Sequence, residues 1–316
     1  MSGPARPEDA PPSRAWLLPA AFLLLGAIWG SSFAWIKIAV EEIPPATLVA
    51  WRMTLGAAGM GILLLAWRLP LPRRLGELAP LAVMGAINAA IPIFLISWGE
   101  QYVDSGTAAV LNSLVPIFSL ILAGLALKTE PVTMLRVIGL VLGFVGAALL
   151  AGRELELRTD ASGLLGALAV VLAAVSYAAG ASFAKHRIRH AHRYVVAGGT
   201  LVFAAIYMWL LAIPADGGII VPAEPSTLLA VAWLGILGSF VAYLLFFFLI
   251  EHLGATMASM VTYMFPVIGV GIGVLLLNEL MDPRLAIGTA LVVLGIVIVT
   301  LRYDAGVSRV PGGARE

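Results

Sequence analysis

The side chains able to do chemistry in this sequence are few, and they lie inside apolar text. Arg52 sits eight residues past Pro44, well into an apolar run. An arginine at that depth is expensive and faces protein or a wet cavity. It reads either as a contact for the carboxylate of a small ligand or as a side chain that snorkels outward and pairs with Glu41 or Glu42. Asn88 and Asn112 lie in uncharged runs, where each can hydrogen-bond a ligand or bridge two helices. Trp29, Tyr177, Tyr243 and Tyr263 each join an aromatic face to a polar end, which suits an amphipathic ligand or ordinary packing. Ser32, with Ser31, follows Gly30; these small residues open a cavity wall or let helices approach closely. Glu100 and Glu251 are the carboxylates nearest to a proton relay, and both read as solvated helix ends.

Other chemistry finds little support. The chain has no cysteine, which excludes disulfides and thiolate sites, and its net charge of +1 gives no general attraction for nucleic acid. The "HRIRHAHR" stretch spaces His186, His190 and His192 as a metal could use them. It lacks nearby carboxylates, however, and reads as a solvated basic loop at a lipid surface. The "GVGIG" of Gly269 to Gly273 has no strand before it, so it is not a phosphate loop. No cofactor or metal is expected, and an embedded enzyme is the weaker reading.

The elements that must position these residues are membrane helices. Hydrophobic residues make up 61% of the 316-residue chain and charged ones 12%, with a mean hydropathy of +1.00, far from the globular norm. At about 20 apolar residues per crossing, the runs between charges predict ten spans. They lie near residues 16–37, 45–67, 77–98, 104–127, 132–151, 162–184, 194–213, 226–250, 254–277 and 283–302. The proline-rich residues 1–14 read as a disordered tail and residues 303–316 as a second cytoplasmic tail, and the run after Arg14 reads as a first span rather than a removable signal. With the termini inside, fourteen Lys and Arg residues fall in inner segments and four (Lys37, Arg153, Arg158, Arg284) in outer loops. That bias sets both termini in the cytoplasm.

The chain also repeats itself. "RVIGLVLGFVGAALL" (136–150) returns 149 residues later as "AIGTALVVLGIVIVT", matching Gly139 to Gly288 and Gly146 to Gly295. Trp29 aligns with Tyr177, Lys37 with Lys185, Pro116 with Pro266 and Glu130 with Glu279. Residues 15–152 and 161–302 are therefore two copies of a five-helix unit. Five is odd, so the second copy enters from the opposite side and the halves are inverted, as in many carriers with a midplane site. Pro116 and Pro266, each removing a backbone bond within a span, read as matched kinks in gating helices. Asp282 reads as the N-cap of the last helix, with Pro283 in its first turn. Gly139, Gly143, Gly146, Gly288 and Gly295 read as packing ridges, with a homodimer interface as one use for them.

These features resemble the drug/metabolite transporter superfamily, EamA type. The resemblance rests on "WGSSF" in the first span, "PPATLVAWR" entering the second, the matched prolines, and Glu130 and Glu279 ahead of glycine-punctuated helices. It implies an all-α, ten-helix inner-membrane carrier with a small-molecule substrate, often an exporter of amino acids or related metabolites. Small multidrug carriers of that superfamily place a buried glutamate in their first helix. No carboxylate lies between Arg14 and Lys37 here.

Overall fold

The computed structural model describes residues 16–72, 74–122, 133–157, 161–188 and 192–300. Both tails, Glu130, Arg158 and His190 lie outside these. The described chain is all-helical, with no strand. Bilayer lipid offers no hydrogen bonds to the backbone, so only helices that satisfy their own amides can cross it alone. Eight helical stretches among the described residues have the length and apolarity to cross, and Ser105–Ile121 and Pro283–Val299 are shorter apolar helices. These two correspond to the expected fourth and tenth spans.

The elements in order are α1 (Leu17–Ala39), α2 (Pro45–Ala66), α3 (Leu75–Gly85), α4 (Ile91–Gly99), α5 (Ser105–Asn112), α6 (Val115–Ile121) and α7 (Met134–Leu157). They continue as α8 (Ser162–Arg187), α9 (Arg193–Ala215), α10 (Pro225–Ala232), α11 (Ala242–Ser259), α12 (Met264–Leu276) and α13 (Pro283–Thr300). Two π-helical segments, Ala86–Ala90 and Trp233–Val241, join α3 to α4 and α10 to α11. Within α11 the helix breaks at Gly254, whose φ of 82° and ψ of 162° suit only glycine and separate the expected eighth and ninth spans.

Helices of the first half bury themselves largely on those of the second. α2 lies along α9, α4 along α8, α1 between α11 and α12, and α5 on α12. α7 and α13 form their own pair. There the repeated glycines face each other: a Cβ on Gly139 would stand 2.8 Å from Gly295 O, and one on Gly146 would stand 2.7 Å from Gly288 O. The glycine ridges thus pack against each other within one chain.

α7 also runs past its expected end at residue 151, so Arg153 is a helical residue, 2% exposed, rather than part of an outer loop. Asp282 caps α13 as expected, its Oδ1 accepting the Leu285 N–H at 2.9 Å.

Gly146→Val should lower the unfolding free energy by about 3 kcal/mol, the upper end for overpacking, because the atom in the way is backbone. Gly152→Ala, on the same helix with open space around its Cβ, should be neutral or slightly stabilising. Thermal unfolding of both variants in one detergent checks the pair.

Candidate functional site

A cavity of about 420 Å³ lies among the helices, between α1, α2, α3 to α6, α8, α9, α11 and α12. Its backbone is unusual wherever it bends away from the regular α-helix. Asn88 and Ala89 of the first π segment line it, and so do Gly238 and Ser239 of the second. Asn112 and Val115 flank the break between α5 and α6, and Thr262 comes from the 3₁₀ turn Met260–Tyr263. Irregular backbone at membrane depth is tolerated where it lines such a space. Side chains serve its carbonyls: Ser176 Oγ donates to Ile87 O at 2.7 Å, Trp29 Nε1 to Gly238 O at 3.1 Å, and Ser239 Oγ to Leu234 O at 3.0 Å.

Arg52 is the charged group of the wall, 7% exposed. Its Nε donates to Ser239 Oγ at 3.2 Å, and no carboxylate pairs with it among the described residues. Glu42 is held elsewhere, accepting the Ala223 N–H at 2.6 Å. The Thr227 side chain and that amide keep the Glu42 carboxyl below its ordinary value. The phenols of Tyr177 and Tyr243 stand within electrostatic reach of the guanidinium, and Asn88 hydrogen-bonds Tyr243. Gly180 makes room for Asn88, since a Cβ there would lie 2.7 Å from Asn88 Oδ1. Asn112 Oδ1 and Thr200 Oγ1 are buried with no hydrogen-bond partner among the described residues. Trp29, whose N–H is held by Gly238 beside Arg52, meets Phe246 at 5.4 Å in a tilted contact and Phe265 at 6.3 Å edge to face. The wall is thus largely apolar, with a few polar groups gathered around a cation and aromatic rings beside them.

Seven of the eight expected ligand contacts (Trp29, Ser32, Arg52, Asn88, Asn112, Tyr177, Tyr243) meet at this cavity. Trp29 presents its ring alone, its N–H being held by Gly238, and the Ser32 hydroxyl donates to Ile28 O at 2.9 Å. Tyr263 does not line it; it packs on a neighbouring apolar cluster. A 3₁₀ turn advances 120° per residue rather than 100°, so Thr262 and Phe265 face the cavity in its place. Thr200 and Ser239 escaped sequence reading because single hydroxyls in apolar runs are commonplace.

The prolines also differ from expectation. Pro116 lies in the first turn of α6 and Pro266 is the third residue of α12. Each follows an irregular turn instead of kinking a continuous helix, and a first-turn proline removes a donor that would have no partner there.

The end of the cavity opposite the basic residues Arg68, Arg74, Lys185, Arg187 and Arg193 is bolted by polar contacts. Arg153 binds Asp282 Oδ2 at 2.5 Å, Asp104 Oδ2 at 2.9 Å, Glu154 Oε1 at 2.7 Å and Leu280 O at 2.8 Å. Glu279 accepts the N–H groups of Ser105 and Gly106 at 2.6 and 3.0 Å, an anion at the start of α5. Thr47 reaches Asp216 at 2.6 Å, and Trp51 donates to Ile220 O at 2.9 Å. Glu100 belongs to this end and is fully buried, which corrects its reading as a solvated helix end. Glu251 matches that reading, its side chain 53% exposed and paired with Arg193 at 3.2 Å. Among the described residues no three histidines or carboxylates converge as a metal site.

Fold and cavity together define a multi-pass membrane protein built around a central chamber. The profile of the EamA-like transporter family matches residues 17–152 and again 164–301, and the chain belongs to that family. It is 26% identical over 280 residues to the uncharacterized transporter YoaV of Bacillus subtilis, covering 88% of this chain and 94% of that one. It is 29% identical to the uncharacterized inner membrane transporter YedA of Escherichia coli K12, covering 90% and 92%. It is 25% identical to a probable terminal-alkyne amino-acid exporter of Streptantibioticus cattleyicolor, covering 89% and 93%. A solved crystal structure shares the fold, with a TM-score of 0.65 and 20% identity over 92% of this chain and 98% of that one.

Arg153→Gln should lower stability by about 3 kcal/mol, the low end for breaking a buried pair, because Asp104 and Asp282 keep contact with water. Burial pushes the Asp282 carboxyl up, but the Leu285 N–H and Arg153 outweigh it and hold it below its ordinary value. Its contribution is therefore complete above the unfolded value of about 3.9 and disappears as pH falls through the lower folded value. Unfolding curves across acidic pH should show Asp282→Asn flattening that acid limb.

Proposed function

We propose that the protein is a carrier that exports small metabolites, with neutral or aromatic amino acids as its substrates. The observation that carries this reading is Arg52, a buried guanidinium bound to a single serine hydroxyl in the wall of a largely apolar, partly aromatic chamber. A cation so placed is strongly disfavoured unless an anion joins it. A carboxylate fits its planar donors in a bidentate way. Tyr177, Tyr243 and Asn88 would surround the polar head of the substrate, and Trp29, Phe246 and Phe265 would take its apolar side chain. The name of the Streptantibioticus relative, an amino-acid exporter, agrees with a substrate of this chemistry.

The carrier works by alternating access. Its ten spans form two inverted five-helix halves, 15–152 and 161–302, with both termini in the cytoplasm of a bacterial inner membrane. The double family match and the interleaved packing support this arrangement. The chamber reaches Ala184 and Val196, beside the basic segments. Those segments are cytoplasmic on the charge bias, so the state described is the one loaded from inside. Rocking of the halves would then loosen the Arg153 and Glu279 bolts, which join the first half to the second.

In proteoliposomes preloaded with labelled amino acids, nucleosides or a cationic dye, release of phenylalanine and other neutral amino acids is expected. Arg52→Gln should reduce transport about 10- to 100-fold, the loss of a charge-assisted pair of about 1.5–3 kcal/mol. Arg52→Lys should retain part of it, as a cation without the fork. Unchanged kinetics in both variants would exclude the carboxylate contact, and release of the dye alone would assign the chamber to multidrug transport.

A further inference from the structure

Glu100 follows the last residue of α4, and its side chain is 0% exposed. Among the described residues neither of its carboxylate oxygens has a hydrogen-bond partner, and Ser97 Oγ, one turn earlier, is equally buried and unpartnered. The backbone here is well served: Lys37 Nζ donates to Glu100 O at 2.6 Å and Val103 O at 2.7 Å. Lys37 therefore stabilises the end of α4 and leaves the carboxyl unpaired. The charged groups that act on this carboxyl come from three neighbouring elements: Lys37 of α1, Arg52 of α2, and Glu279 ahead of α13. α8, packed on the same end of α4, presents Gly166 and Val170 there.

We propose that Glu100 binds and releases the proton that couples transport to the pH gradient. The proposal rests on the reading of the protein as a carrier. A carboxylate removed from water and left without donors is disfavoured by several kcal/mol, and such a group takes up a proton instead. Glu100 is thus a neutral acid in the state described. It lies one turn beyond Ile96, a residue of the chamber wall, which is about 6 Å along the helix. It also lies at the end held shut by Arg153 and Glu279, whose contacts rocking must release. Opening that end admits water to Glu100. The carboxyl then gives its O–H proton to water and becomes a carboxylate, with an ordinary value of about 4.3. When that end closes and the chamber faces the other side, the carboxylate takes its next proton from chamber water at Ile96, one turn away, so each cycle carries one proton from one side of the membrane to the other.

The first test needs no substrate. Infrared spectra of the lipid-reconstituted protein at pH 7 should contain the carbonyl stretch of a protonated carboxyl, absent from Glu100→Gln and retained in Glu251→Gln. In proteoliposomes, Glu100→Gln should keep exchange of labelled phenylalanine across the membrane and lose the response of net flux to a pH gradient. Glu251→Gln should keep both. The proposal is overturned if the band is the same in wild type and Glu100→Gln, or if that variant answers the gradient as wild type does. It is also overturned if Glu100→Gln fails to fold, since an amide replaces a neutral acid with little loss but cannot replace a charge that holds the structure. Should wild type move no phenylalanine, the substrate reading fails, and the infrared band still decides whether Glu100 carries the proton.

Discussion

Hydrocarbon offers no hydrogen bonds, and this one constraint organises the molecule. Regular helix is compulsory wherever the chain meets lipid, so every departure from it must be sheltered. The two π segments, the α5 to α6 break and the 3₁₀ turn before α12 all contribute to the chamber wall. Carbonyls in both π segments are taken up by Ser176, Trp29 and Ser239. The same turns aim Asn88, Asn112 and Ser239 inward, so the features that make the chamber polar also excuse its backbone.

The two ends of the chamber are held by different physics. Towards the end opposite the basic segments, neighbouring elements are joined by directional contacts: the four-acceptor cluster of Arg153, the Glu279 clasp on the α5 amides, and the Thr47 and Trp51 bonds. Several of these link residues of the first half to residues of the second. Such contacts are strong in a dry interior and weaken once water competes. Close glycine packing of α7 on α13 has no such sensitivity to water. A structure that must open at one end and hold firm at another is well served by that division.

Much of the site was visible in the sequence because charged and amide side chains are rare in apolar runs. Arg52, Asn88 and Asn112 stood out for that reason, and the repeat pointed to Trp29 and Tyr177 together. Tyr263 was misplaced because a helical period was assumed through a 3₁₀ turn. Arg153 and Glu100 were misjudged because both lie near span ends, where a charged residue ordinarily meets water. Their burial depends on loops from the other half of the chain folding over them, through Asp282, Leu280 and Glu279.

The sequence by itself determined that the chain is a helical membrane protein, that it is written twice, and which few polar residues lie at membrane depth. Those properties follow from composition and spacing, because the price of a polar atom in lipid depends on position along a span. Tertiary structure alone decided which of these residues share a chamber and that, among the described residues, Arg52 lacks a carboxylate pair and the Glu100 carboxyl a hydrogen-bond partner. Pairing depends on contacts across as many as 187 residues, as from Arg52 to Ser239. It is therefore settled by how helices pack and where they unwind.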